Sequence, residues 1–174
     1  DDPAWIYYDL ATNKRYGAGM DGVDKWSLYQ VGKYCDELVP DGYGGTEPRY
    51  TINTVIANQA EAIDALNQIA SAFRGMTYWG SNSAVAVADM PSDPVKLVTA
   101  ANVVGGDFEY EGSGLRSRHS VFAVTWNDPA DNYKQQIEIV EDQDLIRKSG
   151  WRQADVVAFG CTSRGMAARL GRWM

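Results

Sequence analysis

The sequence contains little histidine and little cysteine. Its single histidine, His119, cannot supply a zinc site of the usual two- or three-histidine kind from one copy of the chain. A Ser-His-Asp or Cys-His arrangement would have to use the same residue, at the start of a predicted strand. The two cysteines, Cys35 and Cys161, are too few for a disulfide framework. We interpret them as small buried apolar residues and expect neither metal nor nucleophilic chemistry.

Long apolar runs are absent as well. No stretch approaches the ~18 apolar residues of a membrane-spanning helix, and the mean hydropathy is -0.36. Apolar residues make up 45% of the chain and charged residues 22%, as in packed globular proteins. The chain begins with Asp1, and its last residues, MAARLGRWM, predict a helix without a stop signal. We therefore expect a piece of a longer protein, with no membrane span.

Basic residues are fewer than acidic residues, 16 against 23, and they are unevenly distributed along the chain. The net charge of -7 opposes a surface that binds nucleic acid by neutralising phosphate, so we predict no specific nucleic-acid binding. Residues 147–174 nevertheless carry +5, which leaves -12 on residues 1–146. This basic end is either a solvated helix face or a surface that docks on an acidic partner, such as a neighbouring copy. Composition does not decide between the two interpretations.

The first half of the chain predicts helices and then a mixed unit. Apolar spacing and turn residues predict helices over 3–17 and 25–39, the second capped by Asp24, and a loop over 40–48. The β-branched residues of 50–57 predict a strand. Asn58 and Glu61 predict a capping box for a helix over 59–74, whose apolar stripe includes Ile63 and Leu66. A hairpin joins MTYWG to AVAVAD and packs on that helix.

The second half of the chain predicts mainly strands. Short strands are expected within 95–111, and longer ones over 119–126, 133–140 and 151–159, with a short helix over 142–149. Thr162 or Ser163 is placed to cap a final helix with one apolar stripe. The predicted fold class is α+β with mainly antiparallel pairing. The predicted parts are a helical segment (1–48), a strand-helix-hairpin module (49–112), and a hairpin, strand and terminal helix (113–174).

Candidate chemistry is sparse. Carboxylate pairs suited to glycoside hydrolysis occur, but such pairs are expected by chance among 23 acids. The pairs are Asp36/Glu37, Glu109/Glu111 and the run Glu141, Asp142 and Asp144. That run only faintly resembles a calcium loop, because it lacks the glycine and the closing glutamate. The six tryptophans and ten tyrosines are typical either of a sugar-stacking surface or of packing contacts within an assembly domain and between its subunits. We favour the packing contacts. We predict a binding or assembly domain rather than an enzyme.

Several long stretches then resemble one family. They are WIYYDLATNKRYGAG, KYCDELVPDGYGGTEPRYTIN, AFRGMTYW, SRHSVFAVTWNDPADNY and VVAFGCTSRGMAARLGRW. In this order they are similar to the central part of the host-specificity (tail-tip J) proteins of lambdoid phages. The similarity runs from about Trp5 to Trp173. It departs from the family phrase at Met166, within the final helix.

This resemblance implies a structural role in the virion. Such proteins form a trimeric hub at the distal end of a long non-contractile tail, and their central part is similar to the hub of contractile-tailed phages. The implied partners are further copies of the chain and the tube, tape-measure and distal tail proteins. The implied location is the virion tail tip, after synthesis in the bacterial cytoplasm. The resemblance supplies no catalytic residue, cofactor or metal site.

The basic end then becomes the candidate surface between protomers, and the acidic remainder the candidate lining of the DNA conduit. The candidate protomer-contact residues are Arg164, Arg169, Arg172 and Trp173. Two other interpretations stay open at this point. One is a carbohydrate-binding module of a tail adhesin, suggested by the aromatic residues. The other is a tail-associated cell-wall hydrolase, suggested only by the carboxylate pairs.

Overall fold

The computed structural model describes residues 1–56, 61–80, 83–114 and 117–174. The described residues form five α-helices, two two-stranded sheets and one three-stranded sheet. The α+β class predicted from the sequence is confirmed. The structure does not test the division into three parts, which stays a prediction.

Two capped helices open the chain. Helix α1 (Pro3–Thr12) begins where the Asp2 carboxylate accepts a hydrogen bond from the Ala4 N–H at 2.8 Å. Helix α2 (Lys25–Asp36) is capped as predicted, because the Asp24 carboxylate accepts from the Trp26 and Ser27 N–H groups. The two helices pack together through small and apolar residues at helical spacing. These are Ala4, Tyr7, Ala11, Leu28, Val31 and Cys35.

A helix and a hairpin form the middle of the fold. Helix α3 (Ala62–Ala72) buries Leu66 and Ile69 and contacts both α1 and the strand that follows it. Strands β3 (Gly75–Gly80) and β4 (Ser83–Ala88) pair antiparallel, which confirms the predicted hairpin on this helix. Gly75 is required at the helix-strand junction, because a Cβ there would lie 2.1 Å from the Phe73 ring.

A three-stranded sheet forms the last part. Strands β5 (Val121–Asp128) and β6 (Lys134–Glu141) pair antiparallel through the predicted turn. After the short helix α4 (Gln143–Ser149), strand β7 (Gln153–Val157) pairs with β5 in the parallel direction, so the order is β6-β5-β7. Helix α5 (Arg164–Trp173) lies across β5 and β6. Its residues Met166 and Ala167 join Val124 and Trp126 in one core that also contains the α1, α2 and α3 faces.

Several predicted boundaries in the first half were wrong. The first helix ends at Thr12 rather than at Gly17, because the Asn13 side chain accepts the Arg15 N–H and turns the chain. The second helix ends at Asp36. Leu38, which the prediction placed in this helix, is instead exposed in strand β1 (Leu38–Pro40), which pairs with β2 (Thr46–Pro48) inside the predicted loop.

The predicted strand over 50–57 is also wrong for residues 50–56. Tyr50 and Ile52 are buried there, but their N–H groups donate to the Cys35 and Asp1 carbonyls instead of to a sheet. Residue 57 and the predicted cap Asn58 lie outside the described residues. Helix α3 begins at Ala62 without a side-chain cap, and Ile63, expected on its apolar stripe, is exposed.

The short strands expected within 95–111 are absent from the described chain. That segment contains two 3-10 turns, Ala100–Asn102 and Val104–Gly106. Gly105 and Gly106 have φ values of 76° and 74°, which interrupt an extended backbone.

Candidate interface around the C-terminal helix

Helix α5 lies close to the sheet because of its small residues. The Ser163 hydroxyl caps its first turn by accepting the Met166 N–H, as predicted from the sequence. Gly171 faces the sheet, where a Cβ would lie 2.7 Å from the Val140 side chain and 3.2 Å from that of Val124. Its close packing fixes where the three arginines of α5 emerge.

Arg169 fastens α5 to the β1–β2 hairpin. Its Nη1 donates to Glu47 Oε1 at 2.6 Å, and its Nη2 donates to the Arg49 carbonyl at 2.9 Å. Both charged side chains are mostly buried, with 17% and 21% of their surface exposed. The Ser163 hydroxyl donates to the other oxygen of the same carboxylate. The hairpin and the helix are therefore joined by a charge-assisted network with little access to water.

Arg164 makes a second, more exposed connection. Its Nε donates to Glu138 Oε2 on β6 at 2.7 Å, and its guanidinium lies 4.4 Å from the centre of the Tyr43 ring. The Tyr43 hydroxyl donates to the other Glu138 oxygen at 2.9 Å. The hydrogen bond to Glu138 raises the pKa of the Arg164 guanidinium. Partial burial, with the Glu138 carboxylate, raises the pKa of the Tyr43 hydroxyl.

Trp173 ends a stack of aromatic and cationic groups. Its Nε1 donates to Asp89 Oδ2 at 2.7 Å, and its ring lies 5.0 Å from the Arg74 guanidinium. Arg74 also lies over the Tyr50 ring and donates to the Arg169 carbonyl at 2.8 Å. Burial lowers the pKa of Arg74. This stack secures the last turn of α5 against α3 and the end of β4.

The four candidate protomer-contact residues thus have different surroundings. Arg164, Arg169 and Trp173 have partners within their own chain. Arg172 is exposed on the last turn of α5. Contact of these residues with another copy stays a prediction.

A cavity of about 550 Å³ lies beside α5. Its walls are the apolar stripe of α5, the exposed edge of β7 and the open end of the β3–β4 hairpin, and its charged lining groups are Arg74 and Asp89. Sequence reasoning missed this feature. It predicted one apolar stripe on the final helix, which consists of Met166, Leu170 and Trp173, but no local pattern indicated that the stripe is only partly covered.

The two cysteines are buried, and the acids of the run 141–144 have partners nearby. Burial raises the pKa of the Cys161 thiol to about 11 and that of Cys35 further, so neither is a ready nucleophile at neutral pH. Asp142 caps α4, while Asp144 pairs with Arg147 at 2.8 Å. Within the described ranges, no three His, Cys, Asp or Glu side chains are grouped as metal ligands.

The tryptophans divide between core and surface. Trp126 is buried in the core. Trp5 and Trp26 both contact Tyr29, with ring centroids 6.5 and 6.4 Å apart, and Trp26 is 75% exposed. No helix in the described parts of the chain is long and apolar enough to cross a membrane.

The fold and the contacts around α5 define an α+β domain in which charged and aromatic side chains connect α5 to the other helices and strands. Over residues 61–174 the chain matches the family of putative phage tail proteins, and it belongs to that family. It is 44% identical, over its whole length, to tip attachment protein J of Escherichia phage SECphi27. It is 35% identical, over 99% of its length, to tip attachment protein J of Escherichia phage SECphi4. The resemblance found in the sequence is confirmed.

The similarity covers a small part of each relative. The chain spans 15% of the length of the SECphi27 protein and 16% of that of the SECphi4 protein. It therefore corresponds to one segment of a much longer polypeptide.

Proposed function

We propose that this chain is a structural segment of a phage tail-tip attachment protein, built into the hub at the distal end of the tail. The observation that carries the proposal is the similarity to two tip attachment proteins along essentially the whole chain. The internal use of the charged groups around α5 supports a scaffold role rather than a catalytic one. The virion is the place of action, and the bacterial cytoplasm is the place of synthesis.

The proposed partners are further copies of the protein, in a trimer, and the neighbouring tube, tape-measure and distal tail proteins. The charge distribution supports this arrangement. The -12 charge of residues 1–146 suits the wall of a conduit through which DNA passes, because like charges repel. The +5 charge of residues 147–174 suits a contact with an acidic neighbour. A cryo-EM map of the tail tip with the acidic residues facing outward would contradict the conduit proposal.

Arg172 tests the protomer contact with the least disturbance of the fold. We expect Arg172→Glu to weaken self-association of the full-length protein several-fold, because it reverses an exposed charge in the proposed contact. Lys25→Glu, an equal charge reversal at the exposed start of α2, is the control. Sedimentation velocity measures both variants. Equal association of the two variants would show that α5 is not the contact.

The tail-tip location is tested by immunogold electron microscopy on particles released by the source strain. An antibody raised against the chain is applied to intact and to mildly disrupted particles, with antibody pre-absorbed on the purified chain as the control. Gold at the distal tail tip of either sample supports the proposal. Gold along the whole tail, or no gold after disruption, would contradict it.

A carbohydrate-binding module of a tail adhesin is a second candidate function. The exposed rings of Trp5, Trp26 and Tyr29 favour it, because sugars stack on exposed aromatic faces. Host glycans would then quench tryptophan fluorescence, and Trp26→Ala would lose this effect while Trp126→Phe kept it. A lack of quenching by host glycans would exclude this function.

A further inference from the structure

One long segment buries none of its side chains against the rest of the described chain. None of residues 91–114, here called the arm, is buried, and within the described residues they contain only 3-10 turns. Val95, Val104 and Tyr110 are 99%, 100% and 90% exposed. Leu97, Val98 and Phe108 are exposed as well. Exposed apolar groups gathered on one segment are typical of a surface that another molecule covers.

Apart from bonds that Ser113 and Gly114 accept from Arg118 and Ser117, the hydrogen bonds that the structure describes for the arm stay within it. The Asn102 side chain donates to the Leu97 carbonyl at 2.9 Å and accepts the Thr99 N–H. The Phe108 and Tyr110 rings contact each other at 6.5 Å. These local contacts shape the arm without burying its apolar side chains.

The cavity beside α5 is lined mostly by apolar residues. We call it the α5 groove. Met166, Leu170 and Trp173 form one side, and Val156 and Val157 of β7 form another. β7 is an edge of the sheet β6-β5-β7, and no described residue pairs with its outer edge. An open strand edge beside an apolar cavity is the arrangement that accepts an added strand.

The match between the arm and the groove is apolar rather than electrostatic, although the arm is acidic. The arm contains Asp93, Asp107, Glu109 and Glu111 against one base, Lys96, for a net charge of -3. None of the three arginines of α5 lines the groove, and Arg164 and Arg169 already pair with Glu138 and Glu47 of their own chain. The arm of a single chain does not line its own groove. The exposed apolar residues of the arm on a second copy are therefore the match for the apolar groove.

We propose that the arm of one copy docks in the α5 groove of a second copy. Residues 93–98 add to the open edge of β7, and the alternating residues Val95 and Leu97 point together into the groove. A contact between two different surfaces of identical chains closes into a ring when the rotation allows it. This inference deepens the proposed hub role by naming the contact, and it rests on that role only in requiring several copies.

Photo-crosslinking in the full-length protein tests the contact. Two differently tagged versions are produced together, and only one carries p-benzoylphenylalanine in place of Leu97. Assemblies that contain both tags are purified, irradiated and denatured. We expect a covalent product with both tags, in which mass spectrometry places the crosslink in residues 153–159 or 166–174. The readout does not depend on the place of the protein in the tail, so it is separate from the immunogold result.

A matched pair of variants completes the test. Val157→Asp in the acceptor copy places a charge in the groove and is expected to lower the crosslink yield several-fold. Val55→Asp makes the same change at another exposed valine and is expected to leave the yield unchanged. The inference is overturned by crosslinks that stay within one copy, by crosslinks to another surface, by the absence of a two-tag product, or by equal yields from the two variants.

Discussion

At the scale of single residues, Arg169 makes the most demanding contact. It is mostly buried, and its removal would leave the Glu47 carboxylate without its cation. We expect Arg169→Ala to lower the free energy of unfolding by roughly 3 kcal/mol, because an unpaired buried charge is costly. Urea denaturation measures the change.

Arg147→Ala is the control for that prediction, since it removes a largely exposed pair with Asp144. Such pairs contribute less than about 1 kcal/mol. Equal losses for the two variants would show that burial does not set the strength of the Arg169 contact.

Asp41 gives the hairpin β1–β2 a pH dependence. Its carboxylate accepts the Tyr43 and Gly45 N–H groups at 2.7 and 2.9 Å, and these bonds hold the pKa of Asp41 below its usual value of 3.8. Because the folded pKa is lowered, the stabilisation is complete above the unfolded pKa and is lost as the pH falls through the folded one. We expect Asp41→Asn to reduce this acid sensitivity, as measured by thermal unfolding at a series of acidic pH values.

Asp131→Asn is the matched comparison for Asp41. Asp131 is also an acid in a turn, but it pairs with the Lys134 side chain instead of with backbone N–H groups. A smaller effect of Asp41→Asn than of Asp131→Asn would contradict the assignment.

At the scale of elements, the seat of α5 on the sheet depends on Gly171. A larger side chain would press into Val124 and Val140, because atoms of both residues would lie within 3.2 Å of an added Cβ. We expect Gly171→Val to destabilise the chain by about 2 kcal/mol, because overpacking outweighs the better helix propensity of valine. Gly112→Val is the control, because the space around Gly112 is open. Differential scanning calorimetry of both variants would expose an error if their melting temperatures fell equally.

The elements that were predicted correctly are those specified by residue patterns of short range. The caps Asp24 and Ser163 and the β3–β4 and β5–β6 hairpins have short-range patterns, and the structure contains them. The segment 50–56 failed because its β-branched composition predicts a strand, whereas its buried N–H groups pair with residues 1 and 35 far away in the chain. The parallel direction of the β5–β7 pair was not predicted for the same reason, since the direction of a strand in a sheet depends on the whole connection between the strands.

The candidate interface was predicted only in outline. A basic, amphipathic last helix is evident from residues 164–173. That Arg169 faces Glu47 and Trp173 faces Asp89 is not evident, because the partners are 122 and 84 positions away. The α5 groove was missed because it is bounded by three elements that meet only in the fold.

At the scale of the whole molecule, the arm is separable from the core. We expect replacement of residues 93–112 by a glycine-serine segment of equal length to leave the melting temperature nearly unchanged, since none of these residues is buried. Ala86→Asp, which places a charge at a buried position of β4, is the control and is expected to lower it clearly. Circular dichroism measures both. A large loss from the arm replacement would show that the arm supports the core.

The long-range contacts of α5 and of the loop before it also determine when the chain finishes folding. The Arg169–Glu47 pair and the Asn53 N–H bond to the Gly160 carbonyl join the two halves of the chain across more than a hundred residues. During synthesis, the apolar faces of α1 to α3 emerge from the ribosome long before α5, so part of the core that they share with α5 is missing at that stage. Non-local contacts of this kind slow folding and leave apolar surface open to aggregation. The nascent polypeptide is therefore expected to need chaperone protection until the last turn of α5 has been translated.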